Sequence, residues 1–214
     1  MKVSPDYTLY LVTDRRTACG RDLEDVVREG IEGGVTMVQL REKGASARDF
    51  LERAMALRAV TSRFGAPLII NDRVDIALAC RADGVHLGQD DMKCRQAREI
   101  VGSRRIVGVS VSTVEEALKA EANGADYLGV SPVYNTPTKT DTPPATGLDG
   151  LSRIRRAVQL PLVAIGGITV ANAAAVIRAG ADGVAVVSAI VASPEPRAAA
   201  RALRLAIADG RGFG

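Results

Sequence analysis

Ile69-Ile70-Asn71-Asp72-Arg73 and Val85-His86-Leu87-Gly88-Gln89-Asp90-Asp91 are two apolar runs that each stop at carboxylates. Asp72 and Asp91 lie 19 residues apart, the length of one strand-helix-strand step. If the two strands are parallel neighbours, both carboxylates emerge on one edge of one sheet. A hard divalent cation suits that edge, because Mg²⁺ takes one or two carboxylates and completes its shell with water and substrate phosphate. The plainer alternative is that acidic residues follow strands as helix N-caps. The neighbouring strand ends have to decide between the two.

Outward from this pair, short apolar runs alternate with amphipathic stretches along the whole chain. Strands are expected at Leu9 to Asp14, Thr36 to Glu42, Pro67 to Asn71, Gly84 to Gly88, Arg105 to Val111, Tyr127 to Val133, Pro161 to Ile165 and Gly183 to Val187. Helices are expected between them and at the end. One starts at a Ser46 N-cap with Phe50, Leu51, Ala54, Leu57 and Ala59 as its buried stripe. Another opens at Thr113 with Glu116 at capping-box spacing, and the last runs from Ala198 to Ala208.

Eight near-continuous hydrophobic strands need cover on both faces, and eight βα units in 214 residues point to a single (β/α)₈ barrel over residues 1–214. A doubly wound open sheet is the competitor. The strand entrance recurs at Ala82-Asp83-Gly84-Val85, Ala125-Asp126-Tyr127-Leu128 and Ala181-Asp182-Gly183-Val184. These turns belong to the bottom face of a barrel, where residues serve stability, so Asp83, Asp126 and Asp182 receive no catalytic role.

Composition narrows the function. Aromatic residues make up 3% and Trp is absent, which leaves no stacking platform for bases and argues against nucleic acid. The net charge of +3 is spread along the chain rather than collected in a run, and fits an anionic small molecule. Cys19, Cys80 and Cys94 are odd in number and lack CxxC spacing, so a disulfide framework is not expected. No run approaches membrane-spanning length, and the start lacks an apolar leader. A cytoplasmic protein is expected, and self-association into a homo-oligomer is compatible with the sequence.

The chemistry then belongs at the strand C-termini. In Gln39-Leu40-Arg41-Glu42-Lys43, alternation sends Gln39, Arg41 and Lys43 to one side, putting an amide and two cations in the barrel mouth. Strand six runs into a segment of hydroxyls and prolines, Asn135 to Gly147, that adds nothing to a core and reads as a lid or a disordered loop. Its Thr136, Thr138 and Lys139 suit phosphate. Strands seven and eight end in Ile165-Gly166-Gly167-Ile168 and Val187-Ser188, the loops that in barrels make a phosphate site with a short extra helix, here Ala189 to Ala192.

Taken in order, Gln39-Leu40-Arg41-Glu42-Lys43, Asn71-Asp72, His86 to Asp91, Gly108-Val109-Ser110, Thr136-Pro137-Thr138-Lys139, Ile165 to Ile168 and Val187-Ser188 resemble the motif set of the thiamine-phosphate synthase family. The resemblance covers nearly the whole chain. It implies a (β/α)₈ barrel that joins 4-amino-2-methyl-5-(diphosphooxymethyl)pyrimidine to a thiazole phosphate and releases diphosphate, with Mg²⁺ as cofactor. By the same resemblance, Gln39, Arg41, Lys43, Asn71, Ser110 and Lys139 hold the pyrimidine diphosphate. Arg41, Lys43, Ser110 and Lys139 carry the catalytic work, and Asp72 and Asp91 hold the metal, Asp90 falling where the family varies. Thr136, Thr138, Gly167, Val187 and Ser188 hold the thiazole phosphate. The family is thought to pass through a pyrimidine methylene cation, which agrees with the lack of a Cys/His or Ser/His nucleophile pair.

There is one departure. Ser112 stands where many relatives carry a His that thiazole tautomerases use for proton transfer, which argues against tautomerase activity. The sole histidine, His86, is expected to face a packed layer rather than a metal. Two alternatives stand beside the synthase. A phosphate-binding barrel isomerase leaves Asp72, Asp91 and Lys139 without a joint purpose. A non-catalytic thiamine-precursor binding protein does not explain charged residues at every strand end.

Overall fold

The computed structural model describes residues 5–135 and 145–212. Its eight strands pair in parallel, each with the next in sequence and the last with the first, and so close into a barrel. They are β1 (Leu9–Val12), β2 (Met37–Leu40), β3 (Leu68–Asn71), β4 (Gly84–Leu87), β5 (Ile106–Val111), β6 (Tyr127–Val130), β7 (Leu162–Ile165) and β8 (Gly183–Val186). The open sheet is thereby excluded. The helices are α1 (Leu23–Glu32), α2 (Ala47–Phe64), α3 (Val74–Ala79), α4 (Cys94–Val101), α5 (Val114–Ala122), α6 (Gly147–Ala157), α7 (Val170–Arg178), the short α8 (Ser188–Val191) and α9 (Pro196–Arg211).

Strand periodicity of two sorts the side chains into two cores. Leu9, Leu11, Val38, Leu68, Ile70 and Val85 point outward into the layer between sheet and helices. Tyr10, Val12, Met37, Ile69, Tyr127 and Val163 point inward and fill the barrel. Each fully buried aliphatic side chain contributes about 1.5–3 kcal/mol relative to exposure, so the outer layer supplies most of the apolar stabilisation. The inward set turns polar near the strand ends: Gln39, Asn71 and His86 are buried there among apolar neighbours.

Local signals hold with shifts of up to three residues. Ser46 caps α2 through its hydroxyl, and Thr113 and Glu116 form the expected capping box. In α2 the buried stripe is Phe50, Ala54, Leu57 and Thr61. Ala59 is exposed and Leu51 half-buried, because i, i+4, i+7, i+11 from Phe50 runs to Thr61 and leaves Ala59 on the solvent side. β6 stops at Val130 rather than Val133, since the next two residues are Ser131 and Pro132 and proline has no N–H to donate. The final helix is longer than expected at both ends, opening on Pro196 in its first turn.

The three repeated strand entrances share one construction. Asp83 accepts from Leu68 N–H at 2.8 Å and from Arg58. Asp126 accepts from Val107 N–H at 2.8 Å and from Arg98 at 2.5 Å. Asp182 accepts from Leu162 N–H at 2.8 Å and from Arg155 at 3.0 Å. Each carboxylate ties the foot of the preceding strand to the arginine of a helix, as a stability role requires.

Candidate active site

The strand C-termini surround a cavity of about 430 Å³ that reaches down between the strands. Gln39, Arg41, Lys43, Asn71, Asp72, Asp91 and Ser110 line it on one side, and Gly167, Val187 and Ser188 on the other. The described site residues from six separate stretches of sequence therefore meet in one space. Thr136, Thr138 and Lys139 lie outside the described residues.

Asp72 and Asp91 are not helix caps. The N-cap of α3 is Arg73 and that of α4 is Lys93, neither with a side-chain capping bond. Asp72 sits in the left-handed region at φ 63°, which Asp tolerates better than most residues, and its N–H donates to His86 O at 2.8 Å. That conformation sets its carboxyl beside that of Asp91. Burial pushes the Asp72 carboxyl up, but the bonds from Asp91 and Lys43 outweigh it and hold Asp72 below the usual carboxylate range. Burial and the neighbouring Asp72 charge push Asp91 up, against the Gly88 N–H that donates to it at 2.7 Å. The pair is a frustrated one: two carboxyls lie close together, so the charge on Asp72 disfavours ionisation of Asp91. Asp90 lines the same cavity but is exposed.

The cationic side is built by pairing. Lys43 Nζ stands 2.8 Å from Asp72 Oδ2 on a side chain that is otherwise exposed. Arg41 Nη1 lies 3.4 Å from Asp14 Oδ2, and Asp14 in turn accepts from the Thr17 N–H and hydroxyl. Glu42, between them in sequence, points the other way into an ion pair with Arg53 at 2.6 Å.

The cavity floor is a chain of polar side chains. Gln39 Nε2 donates to Tyr10 Oη at 2.9 Å, Tyr10 Oη lies 3.0 Å from Tyr127 Oη, and His86 Nδ1 lies 2.8 Å from Tyr127 Oη and its Nε2 2.9 Å from Ser110 Oγ. His86 thus sits in the barrel layer as expected, but its contact with Ser110 makes a Ser/His pair in the cavity that the sequence did not lead one to expect. Burial pushes the Tyr10 and Tyr127 phenols well above their ordinary range, so both stay protonated. Ser112 is turned away, its hydroxyl donating to Glu116 at 2.9 Å.

At the opposite side Gly166 and Gly167 both adopt positive φ, 103° and 64°. A Cβ on Gly167 would stand 2.8 Å from Asn135 O and from Tyr134 Cβ, so the glycine is required by the loop after β6 as well as by any anion. The short helix begins at Ser188, one residue earlier than expected, and Arg21 donates to the carbonyls of Val191 and Ser193 at its far end.

Four participants escaped the sequence reading: Tyr10, Tyr127, Asp14 and Arg21. Asp14 follows the same rule as Asp72, an acid closing an apolar run. The tyrosines are two of only four in the chain and stand at inward strand positions. Arg21 gave no signal, since its partners are 170 and 172 residues away.

This architecture has known counterparts. A family model described as thiamine monophosphate synthase matches residues 9–190. A thiamine-phosphate synthase of Syntrophomonas wolfei is 52% identical over 94% of this chain and 97% of its own length. One from Albidiferax ferrireducens is 56% identical over 92% of this chain and 90% of its own. The solved structure of thiamine phosphate pyrophosphorylase from Pyrococcus furiosus superimposes with a TM-score of 0.89 at 41% identity, covering 98% of this chain and all of that one. The matches span almost the whole chain in sequence and in fold, and the chain belongs to the thiamine monophosphate synthase family, thiamine-biosynthesis transferases on a (β/α)₈ barrel.

Proposed function

We propose that this chain condenses 4-amino-2-methyl-5-(diphosphooxymethyl)pyrimidine with a thiazole phosphate, giving thiamine phosphate and diphosphate, with Mg²⁺ held by Asp72 and Asp91. The observation that carries the reading is the convergence of a carboxyl pair and two cationic side chains at one side of the cavity, with a Gly-Gly turn and a helix start at the other. Two phosphorylated substrates need two anion sites facing one another.

The donor set fits the metal. Two neighbouring carboxyls leave a position where a cation relieves their repulsion, and a hard ion needs few protein ligands when phosphate and water supply the rest. When bound, Mg²⁺ supplies charge neutralisation to the departing diphosphate.

The chain's own residues do the rest. Cleavage of the C–O bond sends its electron pair to the diphosphate oxygen, where Arg41 and Lys43 stabilise the growing charge. Lys43, tied to Asp72 by a long exposed side chain, is free to follow the leaving group. The methylene cation left behind draws on the pyrimidine amino group, and the thiazole nitrogen closes the new C–N bond from its lone pair. Gly167 and Ser188 anchor the thiazole phosphate on backbone N–H groups, so catalysis at that side is positioning. By family resemblance Lys139, Thr136 and Thr138 join these anion sites, and Asn71 and Gln39 hold the pyrimidine side.

Incubating the protein with both substrates and Mg²⁺ tests the reading: thiamine phosphate and diphosphate should form in equal amounts. Turnover of either substrate alone, or no product from the pair, would contradict it.

A further inference from the structure

Gly108 and Gly129 exist to admit two rings. A Cβ on Gly108 would lie 2.1 Å from the Tyr127 ring, and one on Gly129 would lie 3.0 Å from His86 Cε1. In the ladder, Gly108 is the register partner of both His86 and Tyr127, and Gly129 that of Ser110. Two strands therefore give up side chains at neighbouring inward positions so that the tyrosine and histidine can reach each other. Space kept open in a packed barrel for a polar chain calls for an explanation beyond packing.

The protons in this chain can be counted. A phenol or serine hydroxyl brings one proton, and a neutral imidazole brings one. Gln39 Nε2 enters Tyr10 as a donor. Tyr10 must then pass its proton to Tyr127, Tyr127 to His86 Nδ1, and His86 its Nε2 proton to Ser110 Oγ. Every link is filled once, and the Ser110 proton is left over for the cavity. The opposite sense strands the Tyr10 proton: its oxygen would accept from both Gln39 and Tyr127, and at 1% exposure its hydroxyl meets no other hydrogen-bond partner among the described residues.

We propose that Tyr10, Tyr127 and His86 are positioning residues that fix the donor sense of a hydrogen-bond chain across the barrel, holding His86 as its Nε2–H tautomer, Ser110 as a donor into the cavity and the Gln39 carbonyl as an acceptor. This rests on the proposed function in one respect: the ligand favoured is one with an acceptor at Ser110 and a donor at Gln39, and a phosphorylated aminopyrimidine carries both. None of the three needs to touch a reacting atom.

His86 is the only histidine in the chain, so ¹⁵N labelling of histidine yields a spectrum that needs no assignment. In the wild-type protein without substrate, the ring should show a protonated Nε2 and an unprotonated Nδ1. Tyr127→Phe removes the donor to Nδ1 and should turn the ring into a mixture of tautomers, while Tyr10→Phe, which leaves Tyr127 free to donate, should keep Nε2–H. Tyr127→Phe should also raise KM for the pyrimidine diphosphate roughly fivefold, the loss of about one hydrogen bond, with KM for thiazole phosphate within about twofold. If Tyr127→Phe does not fold, Ser110→Ala serves instead: the Nε2 signal should move and Nδ1 stay. A wild-type Nδ1–H tautomer, or ring nitrogens unmoved by Tyr127→Phe or by Ser110→Ala, would overturn the proposal. The ring measurement uses no substrate, so a protein that made no thiamine phosphate would contradict the proposed function and still leave the chain to be decided by its spectrum.

Discussion

The two ends of this barrel use aspartate in opposite ways. At the bottom, Asp83, Asp126 and Asp182 each meet one strand N–H and one arginine, and their charge is matched where it stands. At the top, Asp72 and Asp91 face each other, with Lys43 on a flexible stem as the cation beside them. A satisfied carboxylate stabilises a fold and does nothing else. The top pair has one lysine on an exposed stem and one backbone N–H between its two carboxyls, and in the proposed reading a bound Mg²⁺ would complete it. The residue type is the same, and the number of fixed donors around it separates structure from chemistry.

The contrast can be broken first by withholding divalent cations. Chelation with EDTA should lower thiamine phosphate formation at least roughly a hundredfold, a loss of about 2.7 kcal/mol of transition-state stabilisation, and added Mg²⁺ should restore it. Full turnover in EDTA would mean that the top pair needs no cation.

The bottom end predicts the reverse pattern, a loss of stability without loss of chemistry. Asp126→Ala leaves the Val107 N–H without its acceptor at a partly buried site, a cost of about 1–3 kcal/mol, while Arg98 keeps the carbonyls of Gly102, Arg105 and Gly124. In a domain of this size each kcal/mol lowers Tm by about 2–4 °C. Activity per folded molecule should stay within about twofold of wild type. Asp182→Ala should cost less, since that side chain is half exposed.

The smallest effect is one of sign. The folded Asp91 carboxyl titrates above its unfolded value, so its ionised form is disfavoured by the fold. The penalty is absent below the unfolded pKa of about 3.9, sets in as pH rises through the folded pKa, and is fully present above it. Asp91→Asn cannot ionise, yet keeps an oxygen for the Gly88 N–H and an amide for Asp72. Without divalent cations, thermal melts at neutral pH should therefore show Tm up to about 3 °C higher for Asp91→Asn, with the gain fading toward pH 3. A lower Tm at neutral pH would mean the pair is not frustrated.

Much of this contrast was legible in the sequence. Apolar runs that stop at acids marked Asp72 and Asp91, and the repeated Ala-Asp turns marked the bottom face, because strand ends and turns are local events. Alternation also placed Gln39, Arg41 and Lys43 correctly in the cavity. The floor was not legible, since a tyrosine at an inward strand position reads as core. Only the register, with Gly108 between His86 and Tyr127, shows that Tyr127 reaches a histidine. Gly167 was read as an opening for an anion, and the structure adds the close approach of Tyr134 and Asn135, a contact that no local pattern encodes.

The most direct test of the central claim is the Mg²⁺ dependence of kcat/KM in three variants, Asp72→Asn, Asp91→Asn and Asp83→Asn. The two top variants should lose at least roughly tenfold at fixed Mg²⁺, about 1.4 kcal/mol, and recover in part as Mg²⁺ is raised. Asp83→Asn should match wild type in both respects. Full activity with wild-type Mg²⁺ dependence in both Asp72→Asn and Asp91→Asn would contradict the metal site, and the division of labour between the two ends of the barrel with it.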